Sequence, residues 1–231
     1  MEERSAADGD RGAIVTSVSV RLGALLAIVG GFLDAYTYVG RHGVFANSQT
    51  GNVVLFAVEG ARGEWVRALR HLPPIAAFIA GVAVAETLKR RTVANVVRWP
   101  ARAAIVLEII VLVVVGALPE SVPDGIVTIA IAFVASVQVS TFRTLIRWSY
   151  NTTMTTGNLR AFAQSVYLAV ADRDREALEQ ARGFGVVIAA FSSGALAGAY
   201  LTFSLGPRAV WAAAVVLATS LLLFVVDERR R

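Results

Sequence analysis

The sequence predicts an all-α membrane protein with about six transmembrane helices, arranged as two inverted repeats that each carry a short re-entrant half-helix. Three observations lead to this prediction: an apolar composition, long apolar stretches separated by short basic segments, and an internal repeat. Hydrophobic residues make up 56% of the chain and charged residues only 17%, which is more apolar than an ordinary soluble domain. A lipid bilayer is therefore the predicted partner of most of the surface.

Six apolar stretches have about the length that a helix needs to cross a hydrocarbon core of roughly 30 Å. The predicted spans are residues 22–39, 72–88, 103–117, 125–142, 184–203 and 210–226. Two other stretches, 50–60 and 156–170, are predicted as half-helices, because the first is too short to cross and the second contains Arg160 and Gln164. The spans are flanked by a polar N-terminal tail, residues 1–17, and a basic C-terminal tail, residues 227–231.

The basic residues predict the orientation of these spans. If the N-terminus is inside and both half-helices are re-entrant, all but five of the 22 lysine and arginine residues fall on the cytoplasmic side. The five exceptions are Arg41, Arg62, Arg67, Arg70 and Arg208. The sequence therefore predicts a multi-pass protein of the bacterial inner (plasma) membrane, with both termini in the cytoplasm and the acidic loop 119–124 outside.

An internal repeat divides the chain into repeat 1, residues 18–120, and repeat 2, residues 121–226. The triplet Thr50-Gly51-Asn52 recurs as Thr156-Gly157-Asn158, and the same shift lays Arg41 on Arg147. A second motif, Phe78-x-x-Gly81, recurs as Phe191-x-x-Gly194. Because each half crosses the membrane three times, an odd number, the halves must lie in opposite orientations, as in many transporters.

These motifs also carry a resemblance to a known family. The pair Gly30-Gly31 followed by Asp34, then Val44-Phe45-Ala46, the first Thr-Gly-Asn triplet and Phe78-x-x-Gly81 resemble the YoaK-like family of uncharacterised bacterial multi-pass inner-membrane proteins. The similarity covers nearly the whole chain after Ala13, although Gln49 stands where the family has a methionine. The resemblance implies a membrane protein and supplies no settled activity.

Polar residues at the two half-helices predict a substrate-binding site near the middle of the membrane. A helix N-terminus presents unpaired N–H groups and a positive dipole end, which suit an anion or a polar solute. Asp34 is the strongest single candidate, because a carboxylate deep in a span usually faces a cavity or a partner. The predicted site residues are Asp34, Asn47, Thr50, Gly51, Asn52, Ser140, Thr153, Thr156, Gly157 and Asn158. The alternative is structural: the triplets only cap two packed helices, and Asp34 is bonded to a hydroxyl such as that of Ser140.

Other polar residues are given structural roles. Glu108, near the start of the third span, is predicted to snorkel to the cytoplasmic surface beside Arg102. Residues 172–182 alternate acids and bases, and we expect them to form a solvated surface helix.

Several function classes are excluded by the composition. The chain has no cysteine and only two histidines, so no metal site and no cofactor are predicted. The basic residues lie between apolar runs, so nucleic acid is not an expected partner, and the absence of a recognisable catalytic set predicts that the protein is not an enzyme. The predicted function is a transporter or channel for a small polar or anionic solute, and the alternative is a non-transporting scaffold or assembly protein. The substrate, the driving ion, the choice between channel and coupled carrier, and homo-oligomerisation stay open.

Overall fold

A computed structural model describes residues 20–90, 99–142, 144–145, 148–149 and 155–229. The helices are α1 (Val20–Gly40), α2 (Gln49–Ala61), α3 (Trp65–Ala68), α4 (Leu72–Leu88), α5 (Pro100–Ala117), α6 (Asp124–Thr141), α7 (Thr155–Ala171), α8 (Arg175–Leu205) and α9 (Val210–Arg229). Short 3-10 turns, Leu69–His71 and Gly206–Ala209, join α3 to α4 and α8 to α9. The strands β1 (Thr144–Leu145) and β2 (Trp148–Ser149) form one small antiparallel pair.

Five stretches of the described chain are long and apolar enough to cross a membrane: Val20–Gly40, Trp65–Leu88, Pro100–Ala117, Asp124–Thr141 and Arg175–Val226. The last stretch has 52 residues and contains α8, the following 3-10 turn and α9 as far as Val226. The predicted spans 184–203 and 210–226 both lie inside it. The all-helical prediction is confirmed, and these apolar helices suit a membrane protein.

Helix α8 is longer than the predicted span in its region, with 31 residues. At 1.5 Å per residue it is about 46 Å long, whereas a hydrocarbon core is roughly 30 Å thick. Most of the surface helix predicted at 172–182 is present as the charged first part of α8, which begins at Arg175. The carboxylate of Asp174 caps α8 by accepting hydrogen bonds from the N–H groups of Glu176 and Ala177, and the helix then continues without a break into the apolar segment. The change in composition therefore falls inside one continuous helix and does not mark a helix end.

Helices α1 and α8 pack backbone to backbone. A Cβ added at Gly194 would lie 2.7 Å from the carbonyl carbon of Ile28, and one added at Gly198 would lie 2.8 Å from the Cα of Phe32. The contact advances in the same direction along both helices, so α1 and α8 run parallel. In a bilayer, burial of apolar surface does not drive helices together, because lipid is equally apolar. Association depends instead on close van der Waals packing, which small residues allow.

Helices α4 and α6 form a second parallel pair of the same kind. A Cβ added at Gly81 would overlap the hydroxyl of Ser136, and further along the pair Ala85 packs in one cluster with Val137. Gly81 and Gly194 are the glycines of the repeated Phe-x-x-Gly motif. Both copies of that motif therefore mark a close contact between helices of different halves.

Helices α5 and α9 are antiparallel. The indole of Trp211, at the start of α9, donates a hydrogen bond of 3.2 Å to the carbonyl of Val113, near the end of α5. At the other end of the pair, the guanidinium of Arg102 lies 5.8 Å from the ring centroid of Phe224. Helix α5 also packs against α6, and α9 packs against α1.

Two contacts at the end of α1 relate these pairs to each other. Arg41, just after α1, forms an ion pair with Asp124 at the start of α6. The hydroxyl of Tyr36 donates a hydrogen bond of 3.1 Å to the carbonyl of Pro207, just before α9. Helices α6 and α9 therefore run antiparallel to α1. It follows that α1, α5 and α8 point one way, and that α4, α6 and α9 point the other way.

The centre of the bundle is filled by apolar side chains from α1, α5, α6 and α9. The fully buried leucines and isoleucines of this cluster are Leu22, Leu26, Leu33, Ile105, Leu112, Ile131 and Leu217. Buried polar side chains also occur in these helices, among them Glu108 of α5, which lies in the chain between the core residues Ile105 and Leu112.

Candidate functional site

The chain between α1 and α2 folds back onto α1, and Asp34 holds it there. The Asp34 carboxylate accepts hydrogen bonds from the N–H of Asn47 at 2.7 Å, from the N–H of Ser48 at 3.2 Å and from the Ser48 hydroxyl. Asp34 is 4% exposed and lies roughly 9 Å before the end of α1 by helical rise. Because Ser48 is the N-cap residue of α2, Asp34 anchors the start of the half-helix beside α1. The hydroxyl that donates to Asp34 is that of Ser48 and not that of Ser140, which the sequence suggested.

Asn52 closes the same loop from the side of α2. Its Oδ1 accepts a hydrogen bond from the N–H of Phe45 at 2.9 Å, and its Nδ2 donates to the Phe45 carbonyl at 2.8 Å and to Oε1 of Gln49 at 2.9 Å. The residue is completely buried. Both ends of the amide are engaged inside the protein, so these bonds favour the structural role that the sequence left as an alternative.

The Thr-Gly-Asn triplets lie inside the first turns of α2 and α7, although the sequence suggested that they are the N-caps. Helix α2 begins at Gln49 and α7 begins at Thr155. The ring of Phe45 lies 2.9 Å from the position of an added Cβ at Gly51, whereas an added Cβ at Gly157 would meet nothing within 4 Å. The absence of a side chain at Gly51 thus makes room for the folded-back loop. No described residue requires a glycine at position 157 for close packing.

The remaining predicted site residues differ in their surroundings. Asn47 is buried, and its Nδ2 donates to the Gly30 carbonyl at 3.3 Å while its Oδ1 has no partner among the described residues. The other positions are as follows: Thr50, Thr156 and Gly157 are exposed, Ser140 and Asn158 are buried, and Thr153 lies outside the described residues. The structure therefore gathers Asp34, Asn47 and Asn52 around one loop.

The second triplet belongs to α7, which packs against α8. A single site formed by both triplets stays a prediction.

A polar recess opens where α1 ends and α6 begins. It consists of two adjoining cavities of about 620 Å³ and about 280 Å³ that share His42 and Arg70. We call it the outer recess, after the side on which the charge pattern predicts it. The charged and titratable residues of the larger cavity are Arg41, His42, Arg70, Glu120 and Asp124, and the smaller one adds Glu59 and Arg67. Asp34 lines neither cavity.

Arg41 forms a fixed wall of the outer recess. Its guanidinium donates to the Asp124 carboxylate and, at 3.2 Å, to the Tyr36 hydroxyl. His42 Nε2 lies 2.9 Å from the other Asp124 oxygen. Burial alone would lower the pKa of Arg41, but the bonds to Asp124 and Tyr36 raise it above its ordinary value, so the guanidinium stays charged. The sequence placed Arg41 and Asp124 outside by charge pattern, but no local signal could pair residues so distant in the chain.

His71 is a buried residue that the sequence analysis did not place in any site. Its ring lies between two side chains of α2: Nδ1 is 3.3 Å from Oδ1 of Asn52, and Nε2 is 3.2 Å from Oε2 of Glu59. Glu59 lines the smaller cavity, so these three side chains connect the outer recess to the loop that Asn52 holds. A single histidine beside a pair of prolines gives no sequence signal for such a role.

Glu108 is completely buried on α5, so the expectation that it snorkels to the surface is wrong. Helix α5 begins at Pro100, earlier than the predicted span, and this places Glu108 about two turns inside the helix. Its polar neighbour is Gln138 on α6. Within the described part of the chain, neither Glu108 carboxyl oxygen has a hydrogen-bond partner.

Comparison with known proteins supports a family assignment. A family model described as a protein of unknown function (DUF1275) matches residues 22–223. No curated protein and no solved structure matches the chain. The predicted membership of an uncharacterised family is confirmed, and the more specific resemblance to the YoaK-like family stays a prediction.

Proposed function

We propose, from the premise that this chain belongs to the DUF1275 family of unknown function, that it is an inner-membrane transporter for a small polar or anionic solute. The observation that carries this proposal is the outer recess, with cavities of about 620 Å³ and about 280 Å³ at one end of an apolar helix bundle. Small-molecule sites typically have volumes of about 300–1,000 Å³ and contain a few convergent polar groups. A polar recess of this kind gives a solute a place to exchange water for protein contacts.

The proposed topology has six crossings, made by α1, α4, α5, α6, α8 and α9. The helix directions support it, because they alternate along the chain, as six successive crossings require. The distribution of arginines then places the outer recess on the external side and both termini in the cytoplasm. Helices α2 and α7 are the proposed re-entrant half-helices.

An inverted repeat is supported by the pattern of helix contacts. Exchanging the halves replaces α1 by α6, α2 by α7, α4 by α8 and α5 by α9. Under this exchange the pair α1 and α8 becomes α6 and α4, the pair α5 and α6 becomes α9 and α1, and the pair α2 and α4 becomes α7 and α8. All these pairs are in contact. Such an architecture allows two conformations that are related by a pseudo-twofold axis and open to opposite sides of the membrane. This is the usual basis of alternating access.

The lining of the outer recess indicates the class of solute. Arg41 is committed to Asp124, but Arg70 is exposed, lines both cavities and makes no ion pair with another described residue. A guanidinium offers several N–H donors in a planar arrangement that matches carboxylate and phosphate-like oxygens. Glu120, which also lines the larger cavity, would accept hydrogen bonds from hydroxyl or ammonium groups. Anions and zwitterions therefore fit this lining better than simple cations.

Uptake into proteoliposomes tests the proposal. The purified protein is assayed with labelled sulfate, phosphate, small carboxylates and amino acids, and one class should accumulate above the level of protein-free vesicles. Arg70→Gln should weaken the apparent affinity for that solute by about 10- to 100-fold, because a hydrogen bond to a charged group contributes about 1.5–3 kcal/mol.

The matched control is Arg62→Gln. Arg62 is another exposed arginine of the same side, at the end of α2, and it lines neither cavity. This variant should transport like the parent. Equal losses in both variants, or no accumulation of any solute, would contradict the proposal.

A scaffold or assembly role is the second candidate, and one observation favours it. Asp34 on α1 and Asn52 on α2 are occupied in holding a loop, and the largest buried cluster of the bundle is apolar. If the protein is a scaffold, no solute accumulates, while substitutions at Asp34 still destabilise the fold.

A further inference from the structure

We propose that His71 and Glu59 form a proton-binding site at the outer recess, in which His71 is held as an imidazolium between Glu59 and Asn52. The proton comes from water in the smaller cavity, which Glu59 lines. This inference holds whether or not the protein transports a solute.

The first step of the argument is the environment of the ring. The His71 side chain is 2% exposed, so the ring has little access to water. Nδ1 faces the amide oxygen of Asn52 at 3.3 Å, and Nε2 faces a carboxylate oxygen of Glu59 at 3.2 Å. A neutral imidazole has one donor and one acceptor nitrogen, whereas an imidazolium has two donors. Two acceptors therefore match the imidazolium.

The second step is the orientation of Asn52, since exchanging the oxygen and nitrogen of its amide would turn the acceptor into a donor. The backbone of Phe45 fixes this orientation. Its N–H needs the Asn52 oxygen as acceptor at 2.9 Å, and its carbonyl needs the Asn52 nitrogen as donor at 2.8 Å. Gln49 Oε1 takes the second Asn52 N–H. A flipped amide would break all three bonds, so the atom facing His71 is an oxygen.

The third step is the charge of Glu59. Its side chain is 20% exposed and borders a cavity that also contains Arg67, Arg70 and His42. Arg67 is partly engaged with Glu64 at 2.8 Å, and His42 pairs with Asp124, which leaves Arg70 as a cation beside the cavity. Nearby positive charge favours the ionised form of a carboxyl group. Glu59 therefore faces the ring as a carboxylate acceptor, and with the Asn52 oxygen on the other nitrogen the geometry assigns the proton of the pair to the imidazole.

Release of this proton would affect the loop. A neutral ring presents a lone pair either to the Asn52 oxygen or to the Glu59 carboxylate, so one of the two contacts becomes repulsive. Asn52 is bonded to the Phe45 backbone, and that segment is in turn held by Asp34. The protonation state of the outer recess is thereby linked to the stability of the loop before α2.

Nitrogen NMR of the histidine rings tests the proposal. The chain has only two histidines, so His42→Asn leaves His71 as the single labelled ring. Asparagine suits that position because residue 42 has φ +58°, in the left-handed region that asparagine tolerates. In protein labelled with nitrogen-15 histidine, we expect both His71 ring nitrogens to be protonated at neutral pH.

Two further variants in the same background identify the partner. Glu59→Gln should produce a ring with one unprotonated nitrogen at the same pH. Glu64→Gln is the control, because Glu64 pairs with Arg67 and not with His71, and it should leave both ring signals unchanged. An unprotonated ring nitrogen with Glu59 intact overturns the proposal, and so does a ring that stays doubly protonated in the Glu59 variant. If Glu59→Gln fails to fold, the first measurement still decides, because it leaves the site itself intact.

Discussion

At the scale of single residues, the polar groups of the apolar helices mainly hold backbone in place. The unusual depth of Asp34 could be predicted from the sequence, since a carboxylate inside an apolar run is expensive unless it has partners. Its partner could not, because Ser48 and Ser140 are both hydroxyls and only the folded-back loop decides between them. The same limit applies to His71, whose two acceptors come from residues on another helix.

We expect Asp34 and Ser48 to act as one unit in stability measurements. Ser48→Ala should lower the free energy of unfolding by about 1–2 kcal/mol, and Asp34→Asn by about 2–3 kcal/mol, because each removes a buried hydrogen bond to a charged group. The double variant should lose less than the sum, since both changes remove the same bond. Thermal unfolding in detergent measures the loss of stability in the two single variants and in the double variant.

The control for this comparison of the single and double variants is Ser204→Ala. The Ser204 hydroxyl is exposed and bonds only to the carbonyl of Tyr200 in its own helix, so its removal should change little. Strictly additive losses at Asp34 and Ser48 would mean that the carboxylate is not committed to the loop and is available to a solute.

At the scale of helices, the lengths of the apolar runs were sufficient to locate most elements, including the short α2. The apolar runs did not give the helix bounds where one continuous helix changes composition along its length. Helix α8 combines a charged segment and an apolar segment, and its continuity depends on the cap at Asp174 and on uninterrupted backbone bonding. The pairing of helices also lay beyond the sequence, because a glycine in a motif shows that something comes close but not which helix does.

Gly194 should be intolerant of even one added methyl group. Gly194→Ala places a Cβ 2.7 Å from the carbonyl carbon of Ile28, so α1 and α8 must separate, and overpacking of this kind costs about 1–3 kcal/mol. The expected result is a lower thermal unfolding midpoint in detergent.

Gly125→Ala serves as the comparison, because nothing lies within 4 Å of its added Cβ in the first turn of α6. It should be neutral or slightly stabilising, since alanine favours helix more than glycine does. If both variants unfold at the same midpoint, α1 and α8 do not make the backbone contact described above.

At the scale of the whole molecule, charge and repetition in the sequence indicated an orientation and two related halves. What they could not indicate is that the halves interlock. Each parallel pair, α1 with α8 and α4 with α6, takes one helix from each half. A repeat seen in a sequence identifies equivalent helices, and it does not say whether they pack within their own half or across to the other.

The proposed orientation can be measured with single cysteines, because the chain has none of its own. Ser121 and Arg90 are both exposed, at opposite ends of the bundle. A membrane-impermeant maleimide should label Ser121→Cys in intact cells, and it should label Arg90→Cys only after the cells are permeabilised. The physical reason is the retention of the remaining basic residues near Arg90 in the cytoplasm. If only the Arg90 variant is labelled in intact cells, the topology is the inverse of the proposed one.

The close contact between α1 and α8 also sets an order of events during synthesis. The partners of Asp34, Asn47 and Ser48, leave the ribosome directly after α1, so the carboxylate is satisfied early. The glycine-rich face of α8, by contrast, follows Ile28 by most of the chain. At about 5–20 residues per second, α1 waits roughly 10–30 s for it. In the proposed topology, lipid or the insertion machinery then covers the α1 surface around Ile28 and Phe32 until α8 arrives.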